Sequence, residues 1–438
     1  MLLSFLRRAR RARRARRPSP PSSPETHTKL MNILMLSSTF PYPPSRGGTE
    51  VRTFNLLKYL QQRHQVTLVT QRHEGVSDTE VEELKNWVSN LVVFPLSTEP
   101  SQVGMSRLLG KVRRFTESVV KATPPNVLYR YSPEIQAWVD TYVKTGKCDA
   151  IACEHSVNEI YVRREFKNSV PTVVNVHSSI YGWVSNHLAM GASQNPLRDR
   201  LYLALLLARY EQRYCSKFSQ IVVTTEEDGQ QLLKLRPDAS IQVIPNGVDL
   251  SVFPYRPADP PGYGLIFVGD MSAEHNIEAA RFFTIEVLPK LQQRYPDATF
   301  TIAGARPTTE VINLGKYPGV LVTGRVPSIV EYLHQAKVCV VPLRTGLGIK
   351  NKTLEAMAAG VPVVGSDRGL EGLTVDGVDT PLRALRANQV GEYIDAIGKL
   401  FEDSEMRSQL SHNGRTLVEL EYTWEKAGQS YEQVLLNA

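Results

Sequence analysis

Four cysteines in 438 residues, Cys148, Cys153, Cys215 and Cys339, are too few to hold a chain of this length together by disulfides. Cys148 and Cys153 straddle a stretch that reads as a strand, so their side chains diverge, and no Cys/His spacing matches a zinc site. A reducing cytoplasm is the expected setting. No run approaches the roughly 18 apolar residues of a membrane span. The longest candidate, Leu201 to Ala208, is bounded by Arg200 and Arg209 and reads as the buried face of a helix. A secretory leader is not expected, because the basic N-terminus is followed by prolines rather than by an apolar core.

The chain also lacks a general surplus of positive charge. Of the formal +7, residues 1–30 hold +8, from eight Arg, one Lys and one Glu, so the remainder is −1. A body near neutrality argues against a nucleic-acid partner. The arginine pairs at 7–8, 10–11, 13–14 and 16–17 are followed by Pro18, Pro20, Pro21 and Pro24, which end any helix. Residues 1–30 are expected to form a disordered Arg/Pro-rich tail, dispensable to the fold. Contact with anionic lipid at the inner face of the cytoplasmic membrane and a transit-like role stay open for it.

What is there is alternation. Short β-branched runs predict strands at 32–37, 66–70, 91–95, 149–154, 172–177 and 220–225. Helical patterns fill 49–62, 79–88, 134–143 and 198–215 between them. A proline-rich stretch, 249–264, interrupts the pattern. It restarts with strands at 265–268, 299–303, 320–322, 338–341 and 361–365, and helices at 277–294, 328–335, 353–359, 390–401 and 405–419. No internal repeat is detectable. The fold class is α/β, with two doubly wound parallel sheets of Rossmann type facing across a cleft. The expected domains are 31–247 and 248–422, with a closing helix in 423–438 that the resemblance described below carries back onto the first domain.

One segment carries most of the chemistry. Gly346 to Val364 reads as a glycine-rich loop, a helix start and a strand. Glycines let backbone approach a ligand closely, and a helix start aims free N–H groups at an anion. Lys350 and Lys352 add positive charge there. Glu355, about a turn into the helix, is placed to accept hydrogen bonds from two hydroxyls. Phosphates and a ribose satisfy all these groups, although Lys352 and Glu355 also have the spacing of a surface ion pair.

Three segments together resemble glycosyltransferase family 4. Lys352 to Val364 is similar to that family's donor-site signature, and Val243 to Asp249 to the segment where its chain enters the second domain. Asn32 to Ser37, followed by Gly47 and Gly48, is similar to its first strand and donor loop. The resemblance implies a retaining, metal-independent enzyme of the GT-B fold. It would transfer a hexosyl group from a nucleotide-diphosphate sugar, with uridine diphosphate sugars the expected donors and no further cofactor. The acceptor would be a growing glycan, a lipid-linked glycan or a small molecule, in polysaccharide or glycolipid synthesis; the Gly-Ile-x-Asn-Lys loop is similar to exopolysaccharide-associated branches of the family.

By the same resemblance, His177 and Lys350 are the expected catalytic residues. Gly47, Gly48, Arg325, Val326, Arg344, Gly348, Ile349, Lys350, Lys352, Thr353 and Glu355 are expected at the donor. Glu154 and His155, which end the preceding strand as His177 ends its own, are expected with Arg46 at the acceptor from their position in the sequence. Two departures stand out. Leu347 occupies the position of a usual glutamate, and Asp270 and His275 those of usual diphosphate-binding cations, for which Arg344, Lys350 and Lys352 are the expected substitutes. An epimerase of the same architecture, or a nucleotide-sugar-binding protein without turnover, are the alternative readings.

Overall fold

The computed structural model describes residues 30–44, 47–96, 115–189, 193, 195–346 and 348–438. The arginine pairs of the tail, Arg46 and Leu347 lie outside them.

Seven strands form the first sheet: β1 (Asn32–Ser37), β2 (Gln65–Arg72), β3 (Asn90–Pro95), β4 (Ala150–Glu154), β5 (Thr172–Val176), β6 (Gln220–Val223) and β7 (Ile241–Val243). Six form the second: β8 (Gly264–Val268), β9 (Thr299–Ala303), β10 (Val320–Gly324), β11 (Val338–Val341), β12 (Val363–Gly365) and β13 (Leu385–Arg386). The orders are β3-β2-β1-β4-β5-β6-β7 and β10-β9-β8-β11-β12-β13. Each is the doubly wound order 3-2-1-4-5-6, with one further edge strand in the first sheet. All pairings are parallel; for example Leu34 is in register with Thr67 on one side and Ile151 on the other. The fold is the two-domain GT-B arrangement that the motifs implied.

The central strands are apolar on both faces because helices cover both. Val338–Val341 is buried throughout, as is Thr172–Val176. The exceptions are polar residues inside the first sheet. Glu154 and Asn175 are fully buried and must therefore find partners within the protein.

Three helices frame the site: α1 (Gly48–Leu60), α2 (Asn351–Ala358) and α3 (Trp424–Asn437). α3 packs against α1 of the first domain. Gly428 lies so close to the Tyr59 ring that a Cβ there would fall 2.2 Å from a ring carbon. Glu432 accepts from Tyr59 Oη (3.1 Å) and pairs with His64 Nε2 (2.9 Å). The crossing is tight at Gly247 too, where a Cβ would meet the Trp424 backbone nitrogen at 2.3 Å. Only glycine at this position lets the chain enter the second domain beside the returning helix.

The helical run from Pro196 to Lys217 corrects one expectation. It contains a π-turn over Leu203–Leu207. Its buried side is made by Leu206, Leu207, Tyr210 and Tyr214, while Leu201 and Leu205 face outward at 52% and 42% exposure. The apolar stretch is thus two-sided rather than a single buried face. Among the described residues no helix is long and apolar enough to cross a membrane. All four cysteines are free and buried.

Candidate functional site

A cleft of about 460 Å³ lies between the two domains, lined from the first by Gly48, Arg52, His177 and Asn246 and from the second by Asp270, His275, Gly348, Lys350, Asn351 and Lys352. These residues follow the carboxyl ends of strands, where open α/β sheets bind ligands.

Two helices begin here, one from each domain. α1 starts after Gly47 and α2 after Lys350, and neither start is capped by a side chain. First-turn N–H groups that no side chain among the described residues caps, at the positive end of each helix, favour an anion between them. The loop before α2 turns through Gly346 and Gly348, at φ +94° and +81°. Its backbone thereby passes beside Thr224 and Thr225 of the first domain.

His177 follows β5 directly. Its ring packs edge-on to His155, centroids 4.9 Å apart. Its Nε2 is buried without a hydrogen-bond partner. Burial, then the neighbouring His155 and Arg52, hold its pKa well below the usual imidazole range. The residue lines the cleft, and a neutral imidazole can donate to or accept from a ligand there.

A buried polar chain runs beneath His177. Arg52 donates from Nε to Asn175 Oδ1 (3.1 Å), from Nη1 to Asn246 Oδ1 (2.9 Å) and from Nη2 to the Ile244 carbonyl (2.9 Å). Asn246 then donates across the domain boundary to Asn351 Oδ1 at the start of α2 (3.1 Å). On the other side, Asn175 donates to Glu154 (2.8 Å), which also accepts from Tyr431 of α3 (2.7 Å). Burial lowers the Arg52 guanidinium to about 10, still charged at neutral pH.

In α2, Lys352 donates to Asn276 Oδ1 and lies over the Phe267 ring, 4.5 Å from its centroid. Burial brings its pKa down to about 7. Glu355, partly buried one turn on and not among the lining residues, makes no side-chain hydrogen bond among the described residues, and burial raises it to about 7. Lys350 is held more tightly, by the Gly348 carbonyl (2.5 Å) and by Glu371 (3.2 Å). Arg368 joins Glu371 (2.8 Å) to Glu227 of the first domain (3.6 Å), a second polar link between domains.

The expected residues divide accordingly. Gly48, His177, Gly348, Ile349, Lys350 and Lys352 line the cleft, and Gly47 caps the helix there. Thr353 does not face it: its hydroxyl is in the core and donates to the Gly369 carbonyl (2.8 Å). Arg344 lies over the Phe282 ring (4.9 Å), toward Glu278, and is not among the lining residues. Arg325 and Val326 follow β10 and are not among the lining residues; Arg325 is exposed. Glu154 is sealed in the core with both oxygens engaged and cannot reach an acceptor. His155, at φ +72°, accepts the Val157 N–H (3.3 Å) and stands behind His177. Arg46 lies outside the described residues.

Asp270 and His275 both line the cleft. Asp270 is paired with Arg306, which holds its pKa near 2. His275 is lowered to about 4, by burial first and then by Lys352 and Lys350. Arg306, Arg52, Asn246, Asn276 and Asn351 were not singled out by sequence. Asn246 lies within a quoted motif and Asn351 beside Lys350, but Arg306 carries no local signal, since it acts through a strand-end neighbour 36 positions away.

The family pattern described as Glycosyltransferase Family 4 matches residues 46–252, and that described as Glycosyl transferases group 1 matches residues 262–403. A glycogen synthase of Mycobacterium tuberculosis is 28% identical over 211 residues, which are 46% of this chain and 49% of that protein; the chain thus matches about half the length of this curated relative. Sucrose-phosphate synthase from Thermosynechococcus elongatus shares the fold at a TM-score of 0.65 and 18% identity, covering 93% of this chain and all of that one. Anabaena HepE, solved with UDP and glucose, shares it at 0.59 and 16% identity, with the same coverage.

Proposed function

The chain belongs to the glycosyltransferases of group 1 and family 4, and we propose that it moves a hexosyl group from a nucleotide-diphosphate sugar to an acceptor hydroxyl, retaining the anomeric configuration. The observation that carries this is the meeting of two uncapped helix starts, from opposite domains, in one cleft that His177 also lines. Loss of the diphosphate builds negative charge on its oxygens. The helix starts and Lys352 are fixed beside that position before reaction, which is where electrostatic stabilisation acts most strongly. The same cations and N–H groups make a divalent metal unnecessary for neutralising the leaving group.

Glu355 is the group for the ribose hydroxyls, and its missing partner is what a donor supplies. Gly47, Gly48, Gly348 and Ile349 offer backbone to the phosphates. Lys350, fixed by Glu371, shapes the loop that covers them. The neutral His177 is placed for the reacting sugar. The leaving phosphate takes the acceptor proton as the hydroxyl attacks from the same face. Uridine diphosphate sugars are the proposed donors, in keeping with the UDP complex of the structural neighbour HepE. The acceptor is a glycan or a lipid-linked glycan, in polysaccharide or glycolipid synthesis at the cytoplasmic side of a membrane.

Asp270 is the observation that favours the rival reading, donor binding without turnover, because a carboxylate in the cleft opposes a diphosphate. Its pairing with Arg306 offsets that charge. A thermal-shift screen against nucleotide diphosphates and nucleotide sugars, followed by product analysis, tests the proposal. A donor that binds the folded state raises Tm by mass action, and Glu355→Ala should abolish the shift. A shift without transfer to any acceptor supports the binding reading, and conversion of the donor sugar to its epimer supports an epimerase. No shift with any nucleotide removes the donor site.

A further inference from the structure

We infer that the outer face of the helix running from Pro196 to Leu207 docks on an anionic lipid surface. Leu197, Leu201 and Leu205 recur every four residues along it and are 78%, 52% and 42% exposed. At 3.6 residues per turn they form one stripe, with Arg198 on one side and Arg200 on the other. Arg209, exposed and touching the Val119 carbonyl at 3.3 Å, extends the basic border past the π-turn. The only carboxylate on the exposed part of this helix, Asp199, is tied to Ser193 (2.8 Å) and Arg198 (3.0 Å).

Leucines flanked by arginines suit a membrane interface. The apolar side chains enter the acyl boundary while guanidinium groups remain at the phosphates. A second protein is a poorer fit, since three leucines fall far short of the roughly 800 Å² per partner that a stable interface buries. The stripe is also not needed by the core, which this helix serves through Leu206 and Leu207, packed with Val184 on its other side. The neighbouring helix, Ile180–Ala189, begins three residues after His177 and carries Trp183, itself 45% exposed. The docking face therefore belongs to the substructure that leads out of the cleft.

The surface stands or falls independently of the transfer reaction. The test uses the full chain and vesicles of phosphatidylcholine, alone or mixed with phosphatidylglycerol. Co-sedimentation should require phosphatidylglycerol and weaken with salt. Leu201→Glu should reduce it on the order of tenfold or more, without altering any thermal shift caused by nucleotides. Because all four native cysteines are buried, Leu201→Cys supplies one exposed thiol. It should react with a maleimide readily in the free protein and slowly on phosphatidylglycerol vesicles. Wild-type binding by Leu201→Glu would overturn the inference and leave the N-terminal arginines as the anchor. A thiol already protected without vesicles would also overturn it, since the stripe would then be covered within the protein itself. So would a dimer that Leu201→Glu dissociates.

Discussion

Tyr431 and Glu154 stand 277 positions apart in the chain and 2.7 Å apart in the fold. The phenol donates to a carboxylate that burial pushes toward protonation, and the bond offsets part of that push. Asn175 supplies the second donor, and Arg52 connects the pair to the cleft. The closing helix thus contributes a polar group to the interior of the first sheet as well as an apolar face to its surface.

Tyr431→Phe removes one donor and leaves the Glu154 oxygen unpaired in the core. The expected loss is about 1–3 kcal/mol of stability, read from urea unfolding. Glu154→Ala should cost at least as much, because it strands both Tyr431 and Asn175. A double variant should fall short of the sum of the singles, as coupled residues do. Strict additivity would mean that the contact contributes nothing.

Arg52 is the second point of failure. Its planar fork reaches three acceptors at once, and a lysine cannot. Arg52→Lys should therefore destabilise the protein by roughly 2–4 kcal/mol, since acceptors are left unpaired in the core. It should also weaken nucleotide binding, because Asn246 then loses the contact that orients it toward Asn351. Tyr431→Phe, farther along the same chain of bonds, should affect stability more than binding. Equal binding by Arg52→Lys and wild type would show that the start of α2 is positioned without this network.

Much of this architecture was legible in the sequence, and for a physical reason. Strands buried on both faces must be apolar throughout, so runs such as Val338–Val341 announce themselves. Among the described residues, eleven of thirteen strands follow from the sequence; β7 and β13 do not, because two or three residues carry no pattern. The outward face of the helix at Leu201 leaves no mark in the sequence, because consecutive apolar residues have no periodicity to orient them. Glu154 was assigned to an acceptor because strand ends face the cleft, but its partner Tyr431 is distant in sequence and leaves no local mark. Thr353 and Arg344 were misplaced for a similar reason: their directions depend on where Gly369 and Phe282 lie.

Gly348 allows a matched test of the donor loop. It sits at φ +81°, and a Cβ there would meet the Thr225 methyl at 3.8 Å and Thr224 Oγ1 at 3.9 Å, both ordinary contacts. Gly348→Ala therefore acts through backbone strain, about 1–2 kcal/mol, lost either as stability or as weaker nucleotide binding when the loop relaxes. Gly391, in a helix and with nothing near its Cβ position, is the control. There alanine should be neutral or gain up to about 1 kcal/mol. Opposite signs at the two positions, measured by denaturation, support the loop conformation; equal effects contradict it.

Lys352 and Glu355 make proton exchange on binding a signature of the site. Burial brings both to about 7, the lysine from above and the carboxyl from below. A diphosphate beside Lys352 favours its charged form and raises its pKa, while ribose hydroxyls donating to Glu355 favour the carboxylate and lower its pKa. At about pH 8 the free lysine is mostly neutral and becomes protonated on binding, so the protein takes up protons. At about pH 6 the free carboxyl is mostly protonated and ionises on binding, so it releases them. Calorimetry of nucleoside diphosphate binding in buffers of different ionisation enthalpy should therefore show proton uptake turning into release as pH falls through about 7. Lys352→Met should remove the uptake and Glu355→Gln the release. A proton count of one sign across the whole range would separate these two residues from the bound nucleotide.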